Sequence, residues 1–175
     1  MNKALAVMAF LIVPMAAHSV MPYIGLYQTI DDKTNMPKSV VALYEYIDDD
    51  DVNVGGRIVA LYDTNGQISE TISNPVRVAD AVSGSPKYVG LDIIWDMEWE
   101  SDDNEYEDGK IMDPKSGKVY SSIMWQDSGN KNVLNVRGKI GPFGRTQHWN
   151  VMDASKLPAE LQNIDTTNWK PTKRK

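Results

Sequence analysis

Residues 89–99 read VGLDIIWDMEW, and this stretch decides the fold class. Large apolar side chains recur in it at every second position: Leu91, Ile93, Trp95, Met97 and Trp99. A period of two places them on one face of a β-strand, because successive side chains of a strand point to opposite sides. Asp92, Asp96 and Glu98 fall on the other face, where we expect carboxylates in contact with solvent. The pattern therefore predicts a strand with one apolar face and one solvated face.

Seven other stretches carry the β-branched and aromatic residues that are typical of strands. They are residues 23–30, 38–47, 52–62, 106–113, 118–126, 132–140 and 145–152. Short, turn-rich connections join the last four of them, as in sequential hairpins. Strands do not alternate with helical patterns, which argues against a parallel α/β sheet. We therefore predict an all-β, antiparallel protein, an up-and-down barrel of about eight strands whose closure protects its edges.

Two segments depart from the strand pattern. Residues 63–88 contain Asn-Gly, Asn-Pro and Ser-Gly-Ser-Pro turn signals. We expect a long surface excursion there, with a short helical turn near residues 76–82. Residues 154–175 follow the last predicted strand and end in KPTKRK, so we expect a mobile basic tail after a barrel domain of residues 20–153.

The first 19 residues have the order of a secretory signal peptide. Lys3 precedes an uninterrupted apolar run over residues 4–15, and the small residues Ala16, Ala17 and Ser19 follow. The run is too short for a permanent membrane span, so we expect cleavage after Ser19 or after Ala17 and no transmembrane segment afterwards. A buried N-terminal helix is the alternative. The sequence thus predicts an exported protein, periplasmic or secreted, and removal of Lys3 brings its net charge from -6 to -7.

The composition excludes most catalytic and metal chemistry. The chain has no cysteine, and His148 is the only histidine after residue 19, so thiol catalysis and zinc–cysteine sites are absent. No phosphate loop, dinucleotide fingerprint or EF-hand spacing occurs, and we predict no cofactor, no bound metal and no nucleic-acid partner. A hydrolase built on carboxylates such as Asp113 is the weakest hypothesis. We expect a protein that is not an enzyme.

The barrel interior decides between two further hypotheses. Trp95, Trp125 and Trp149 could form the apolar walls of a pocket, with Arg137 or Arg145 holding an anionic head group. The protein would then bind a small apolar or amphiphilic ligand. Alternatively these side chains fill the core, as in other small eight-stranded barrels, and the protein is a structural or interaction component of the cell envelope with a protein partner. A void of about 300 Å³ or more would favour the ligand.

Several short stretches resemble the secreted bacterial family called domain of unknown function 2147. They are GLYQTIDD at 25–32, GLDIIW at 90–95, GKIMDP at 109–114, GKVY at 117–120, VRGKIG at 136–141 and GRTQHW at 144–149. The family usually has Trp in place of Tyr27 and Thr in place of His148, and many members carry cysteines in the excursion that this chain lacks. The resemblance implies a secreted barrel without an assigned substrate.

The opening Gly-x-aromatic and the arginine of the last strand also resemble the lipocalin arrangement. By that resemblance Tyr27 would close one end of the barrel beneath Arg145, as a structural cation–π plug. The resemblance is one of fold and implies no particular ligand.

Overall fold

A computed structural model describes residues 21–175, and nine β-strands lie within them. The strands are β1 Gly25–Ile30, β2 Pro37–Asp48, β3 Asp51–Tyr62, β4 Ile68–Thr71, β5 Asp92–Glu100, β6 Glu105–Asp113, β7 Lys118–Trp125, β8 Val133–Ile140 and β9 Phe143–Val151. A 3₁₀ turn at Ala154–Lys156 and the short helix α1, Ala159–Gln162, follow. The predicted signal peptide lies outside the described residues. Within residues 21–175 no helix is both long enough and apolar enough to cross a membrane.

Eight of the strands close into an antiparallel barrel, as the sequence predicted. Their order around the ring is β2-β1-β9-β8-β7-β6-β5-β3, and β2 pairs with β3 to complete it. β4 pairs with β3 outside this ring. Each predicted strand is present with its ends shifted by at most three residues.

The barrel has a core on each side of its wall. Inside, apolar residues from all eight strands form one cluster. Outside, Val40 and Ala42 of β2 join Val59 and Ala60 of β3 in a second buried cluster. The outer face of β2 and β3 therefore carries an apolar patch, and the hydrophobic effect favours a segment that covers it.

The C-terminal segment supplies that cover, which corrects the expectation of a mobile tail. Leu157 and Leu161 are buried against the outer cluster, and Trp169 packs on it. The Arg57 guanidinium stacks over the Trp169 ring, 4.4 Å from its centroid, and Lys173 pairs with Asp48 and Asp96. The basic composition of the segment suggested mobility, but its apolar residues and salt bridges hold it on the barrel.

The excursion between β3 and β5 also packs more closely than predicted. Most of its residues are exposed, as predicted for a surface excursion, but Ala79, Val82 and Val89 are buried in the inner cluster and hold the segment against the barrel. Residues 76–82 form turns and an isolated bridge between Val78 and Lys87 rather than a helical turn. Turns are present in the segment, as its sequence predicted. Its few apolar residues, however, pack into the inner cluster.

The structure contradicts the prediction that the carboxylates of β5 contact solvent, because Asp92 is buried. Its face is the predicted one, opposite the lumen, but the C-terminal segment covers that face and the residue is 2% exposed. The carboxylate accepts hydrogen bonds from the Tyr44 hydroxyl at 2.9 Å, from Arg57 at 2.8 and 3.2 Å and from the Thr172 backbone N–H at 2.8 Å. Asp96 is half-buried and accepts from the Tyr46 hydroxyl, while Glu98 is exposed as predicted.

Asp92→Asn removes the charge opposite Arg57 and nearly preserves the side-chain shape. We expect the free energy of unfolding to fall by about 2–3 kcal/mol, because hydrogen bonds to a buried charged group contribute about that much. Urea unfolding measures the change. Glu98→Gln, a matching change at an exposed position of β5, should cost less than about 0.5 kcal/mol. Equal losses for the two variants would contradict the structural role of Asp92.

Candidate functional site

One end of the barrel is closed by aromatic side chains. The rings of Tyr23, Trp99 and Tyr106 pack edge to face with centroids 5.0–6.0 Å apart. The Tyr106 hydroxyl donates to the Pro22 carbonyl at 2.6 Å, and the Tyr27 hydroxyl donates to the Tyr23 carbonyl at 2.8 Å. Burial raises the pKa of Tyr27 and of Tyr106, so both stay neutral hydrogen-bond donors. Residues just before β1 thus cross this end and seal it.

The opposite half of the barrel holds a cavity of about 800 Å³. Its apolar walls include side chains from five strands, namely Ile58, Leu61, Ile93, Ile111, Met112, Val136 and Trp149. This volume lies in the range of small-molecule sites and well above their lower bound of roughly 300 Å³.

A decrease in side-chain size along β8 and β1 helps to create the cavity. Inward residues of β8 run from Leu134 through Val136 to Gly138 as the strand approaches the open end. On β1 the inward residue Thr29 follows Tyr27. Large residues therefore fill the closed end, and smaller ones leave space near the mouth.

Few polar groups face the interior of the cavity. The hydroxyls of Thr29 and Ser39 lie 2.6 Å apart, and both residues are buried. Gln147 accepts a hydrogen bond from the Trp149 indole N–H at 3.0 Å. Thr29 thus pairs with Ser39, and Trp149 pairs with Gln147. Apart from these two pairs, the wall is largely apolar.

Charged side chains surround the mouth. Lys115, in the turn after β6, donates to Asp31, just after β1, at 3.1 Å. β1 and β6 are four strands apart in a ring of eight, so this ion pair spans the mouth. The hydrogen bond from Lys115, with the backbone N–H groups of Lys33 and Thr34, holds the pKa of Asp31 well below its usual range.

Of the three tryptophans predicted to line the pocket, only Trp149 lines the cavity. Trp149 is 1% exposed and lines the cavity. Trp95 is buried in the inner cluster, nearer the closed end than Ile93, and does not line the cavity. Trp125 is half-buried, and its indole N–H donates to Asp127 at 3.2 Å outside the cavity.

The two predicted arginines lie in different places. On β8 the apolar side chains point inward, so Arg137 lies on the outer face and does not line the cavity. Arg145 lines the mouth, is 67% exposed and pairs with Asp32.

Tyr27 and Arg145 lie toward opposite ends of the barrel. Tyr27 pairs with Val151 on β9, and Arg145 precedes Val151 by six residues. Six residues of a strand span about 20 Å, so the Tyr27 ring and the Arg145 guanidinium do not meet. Tyr27 does help to close an end, but through a carbonyl hydrogen bond rather than through a cation.

Several cavity residues were missed by the sequence analysis. Lys38, the second residue of β2, lies at the mouth, and Tyr88 and Arg77 belong to the excursion. No local pattern marks the excursion residues, because its path is set by packing against the rim. The decrease in side-chain size along β8 and β1 was readable in the sequence and would have indicated an open end.

Two carboxylates at the mouth, Asp113 and Asp31, have hydrogen-bond partners of their own. Asp113 caps its own turn by accepting the Lys115 backbone N–H at 3.0 Å and the Ser116 hydroxyl at 2.8 Å. Asp31 remains ionised beside Lys115, as its lowered pKa indicates. Among residues 21–175 no group of three or more metal-ligating side chains occurs.

A closed eight-stranded barrel with one sealed end and one open cavity is a lipocalin-like β-barrel. The chain belongs to a bacterial family described as "Uncharacterized protein conserved in bacteria (DUF2147)", whose sequence profile matches residues 25–151. No curated protein matches the chain.

One similar solved structure is described as "Protein HP1028 from the human pathogen Helicobacter pylori belongs to the lipocalin family". It shares 19% sequence identity with a TM-score of 0.54, and the alignment covers 76% of this chain and 84% of that one. At this identity the comparison supports the fold alone.

Arg145→Ala tests whether an arginine at this position stabilises the barrel. We expect the free energy of unfolding to change by less than about 0.5 kcal/mol, because the ion pair with Asp32 is exposed to solvent. Thermal and urea unfolding measure the change. A loss of about 2 kcal/mol would instead support the cation–π plug inferred from the lipocalin resemblance.

Proposed function

We propose that this chain is a non-enzymatic binding protein that holds a small apolar or amphiphilic ligand in its barrel. The observation that carries the proposal is the cavity of about 800 Å³ in the open half of the barrel, with apolar walls and a charged rim. Eight-stranded barrels of this size either fill with side chains or hold one small ligand, as in lipocalins. The cavity favours the second case over the filled core of the envelope-component hypothesis.

The distribution of polarity supports an amphiphile. Below the rim the walls are largely apolar, while Lys115, Asp31, Asp32 and Arg145 lie at the mouth. An elongated molecule with an apolar body and a polar end matches this change from apolar to charged surroundings.

We further propose that the protein is exported. This rests on residues 1–19, whose basic start, apolar run and small-residue end are those of a signal peptide. Fractionation of the expressing bacterium and N-terminal sequencing of the isolated protein test it. An intact Met1 in the cytoplasmic fraction would contradict export.

Val136→Phe tests the cavity directly. The larger ring would occupy space that the ligand needs, so the affinity for the neutral probe N-phenyl-1-naphthylamine should fall about tenfold or more. Probe fluorescence titration measures the affinity. Val133→Phe makes the same change on β8 outside the cavity and should leave the affinity unchanged. A wild-type protein that shows no saturable binding, or equal binding by Val136→Phe, would overturn the proposed function.

Lys115→Met tests whether the ion pair across the mouth limits access. Lys115 is exposed and Asp31 is partly exposed, so the pair contributes at most about 1 kcal/mol, and its removal should speed both association and dissociation of the probe by up to about fivefold. The dissociation constant should change little, because both rates rise together. Stopped-flow fluorescence measures the rates, with the exposed Lys118→Met as control. Unchanged rates would show that the ligand enters elsewhere or that opening is not limiting.

A further inference from the structure

The cations near the mouth differ in whether they have a carboxylate partner. Lys115 pairs with Asp31, Arg145 with Asp32, and Arg77 with Glu70. Arg77 also donates to the Tyr62 carbonyl at 3.1 Å. Because their charges are already compensated, an incoming anion would have to compete with these carboxylates.

Lys38 is different. It lines the cavity at the start of β2 and is half-buried. Among the hydrogen bonds and ion pairs of residues 21–175, none involves its ammonium group. The structure therefore desolvates this cation in part without giving it a direct partner, which is unfavourable unless a ligand supplies one.

The electrostatics around Lys38 agree with this geometry. Burial lowers the pKa of Lys38, and the charge of Lys115 lowers it further. Asp113, Asp31 and Asp32 act in the opposite direction but none is in direct contact. An anion placed against the ammonium would restore part of the lost solvation and stabilise the charged form.

We propose that Lys38 binds the anionic head group of an amphiphile whose apolar chain occupies the cavity. The proposal rests on the proposed function and adds the chemical class of the ligand. The sequence predicted Arg137 or Arg145 as the head-group contact. The contact is assigned to Lys38 instead, because its ammonium group has no carboxylate of residues 21–175 in direct contact. A single ammonium acts as a point charge, so it selects for negative charge rather than for one planar geometry.

The walls beside Lys38 explain why the anion should carry an apolar chain. Ser39, the next residue, is buried and its hydroxyl is already bonded to Thr29. Below this pair the cavity is bounded by Ile58, Ile93 and Val136. A free small anion would gain the contact with Lys38 but would leave this apolar surface uncovered.

Displacement of N-phenyl-1-naphthylamine by dodecanoate and by its methyl ester tests the inference, since the two differ in the charge of one end. For the wild-type protein we expect dodecanoate to bind about tenfold more tightly than the ester. In Lys38→Met this preference should fall to about twofold or less while the ester binds as before, and Lys38→Arg should retain the preference. Sodium acetate at the same concentration should displace no probe.

Lys139→Met is the matched control, because Lys139 is also half-buried but lies on the outer face of β8. It should keep the wild-type preference. Thermal unfolding of Lys38→Met should be no lower than that of the wild type, since the substitution removes a partly desolvated charge.

The outcomes separate the inference from the proposed function. If the wild type binds the probe but treats dodecanoate and ester alike, or if Lys38→Met keeps the preference, the Lys38 inference is wrong and the ligand cavity stands. Displacement by acetate alone would also overturn it, in favour of a simple anion site. If the wild type binds neither probe nor amphiphile, both proposals fall.

Discussion

The pairing of β1 with β9 is the contact on which the barrel depends. It joins Tyr27 to Val151 and Gln28 to Asn150, and the Met152 N–H extends it by donating to the Leu26 carbonyl at 2.9 Å. Without this pairing the eight strands would form an open sheet with two free edges and an inner apolar face in water. The lumen, its sealed end and its charged mouth all exist because this short contact completes the ring.

A closed barrel could still be filled completely by side chains. In this barrel the small inward side chains near the mouth leave space for a cavity. Tyr27, Trp99 and Tyr106 fill one end, where their hydroxyls and rings find partners in the segment before β1. Toward the other end the inward positions carry Thr29 and Gly138, which leave the cavity open. A similar asymmetry holds for charge, because ion pairs gather at the mouth while the walls below are apolar. The same strands thus provide stability at one end and a binding site at the other.

Much of the fold was predictable because it follows from local periodicity. Alternation in residues 89–99 and 132–140 placed apolar residues on one face, and that face is the lumen in both strands. The errors share one physical cause, which is packing between segments distant in sequence. Asp92 is on the predicted face, but it is buried because residues near Thr172 cover it. Arg145 and Tyr27 looked like partners from the resemblance, yet the direction of β9 puts them toward opposite ends of the barrel.

The strands, their antiparallel order and the faces that meet in the lumen follow from local sequence patterns, because these features depend on a period of two and on short turns. Tertiary structure decided whether the lumen was filled and which cations were already paired. Those outcomes depend on the sizes and charges of residues from opposite sides of the ring, such as Asp31 and Lys115, which no local pattern relates. For the same reason Lys38 became a candidate only when the ring placed it at the mouth without a carboxylate in contact.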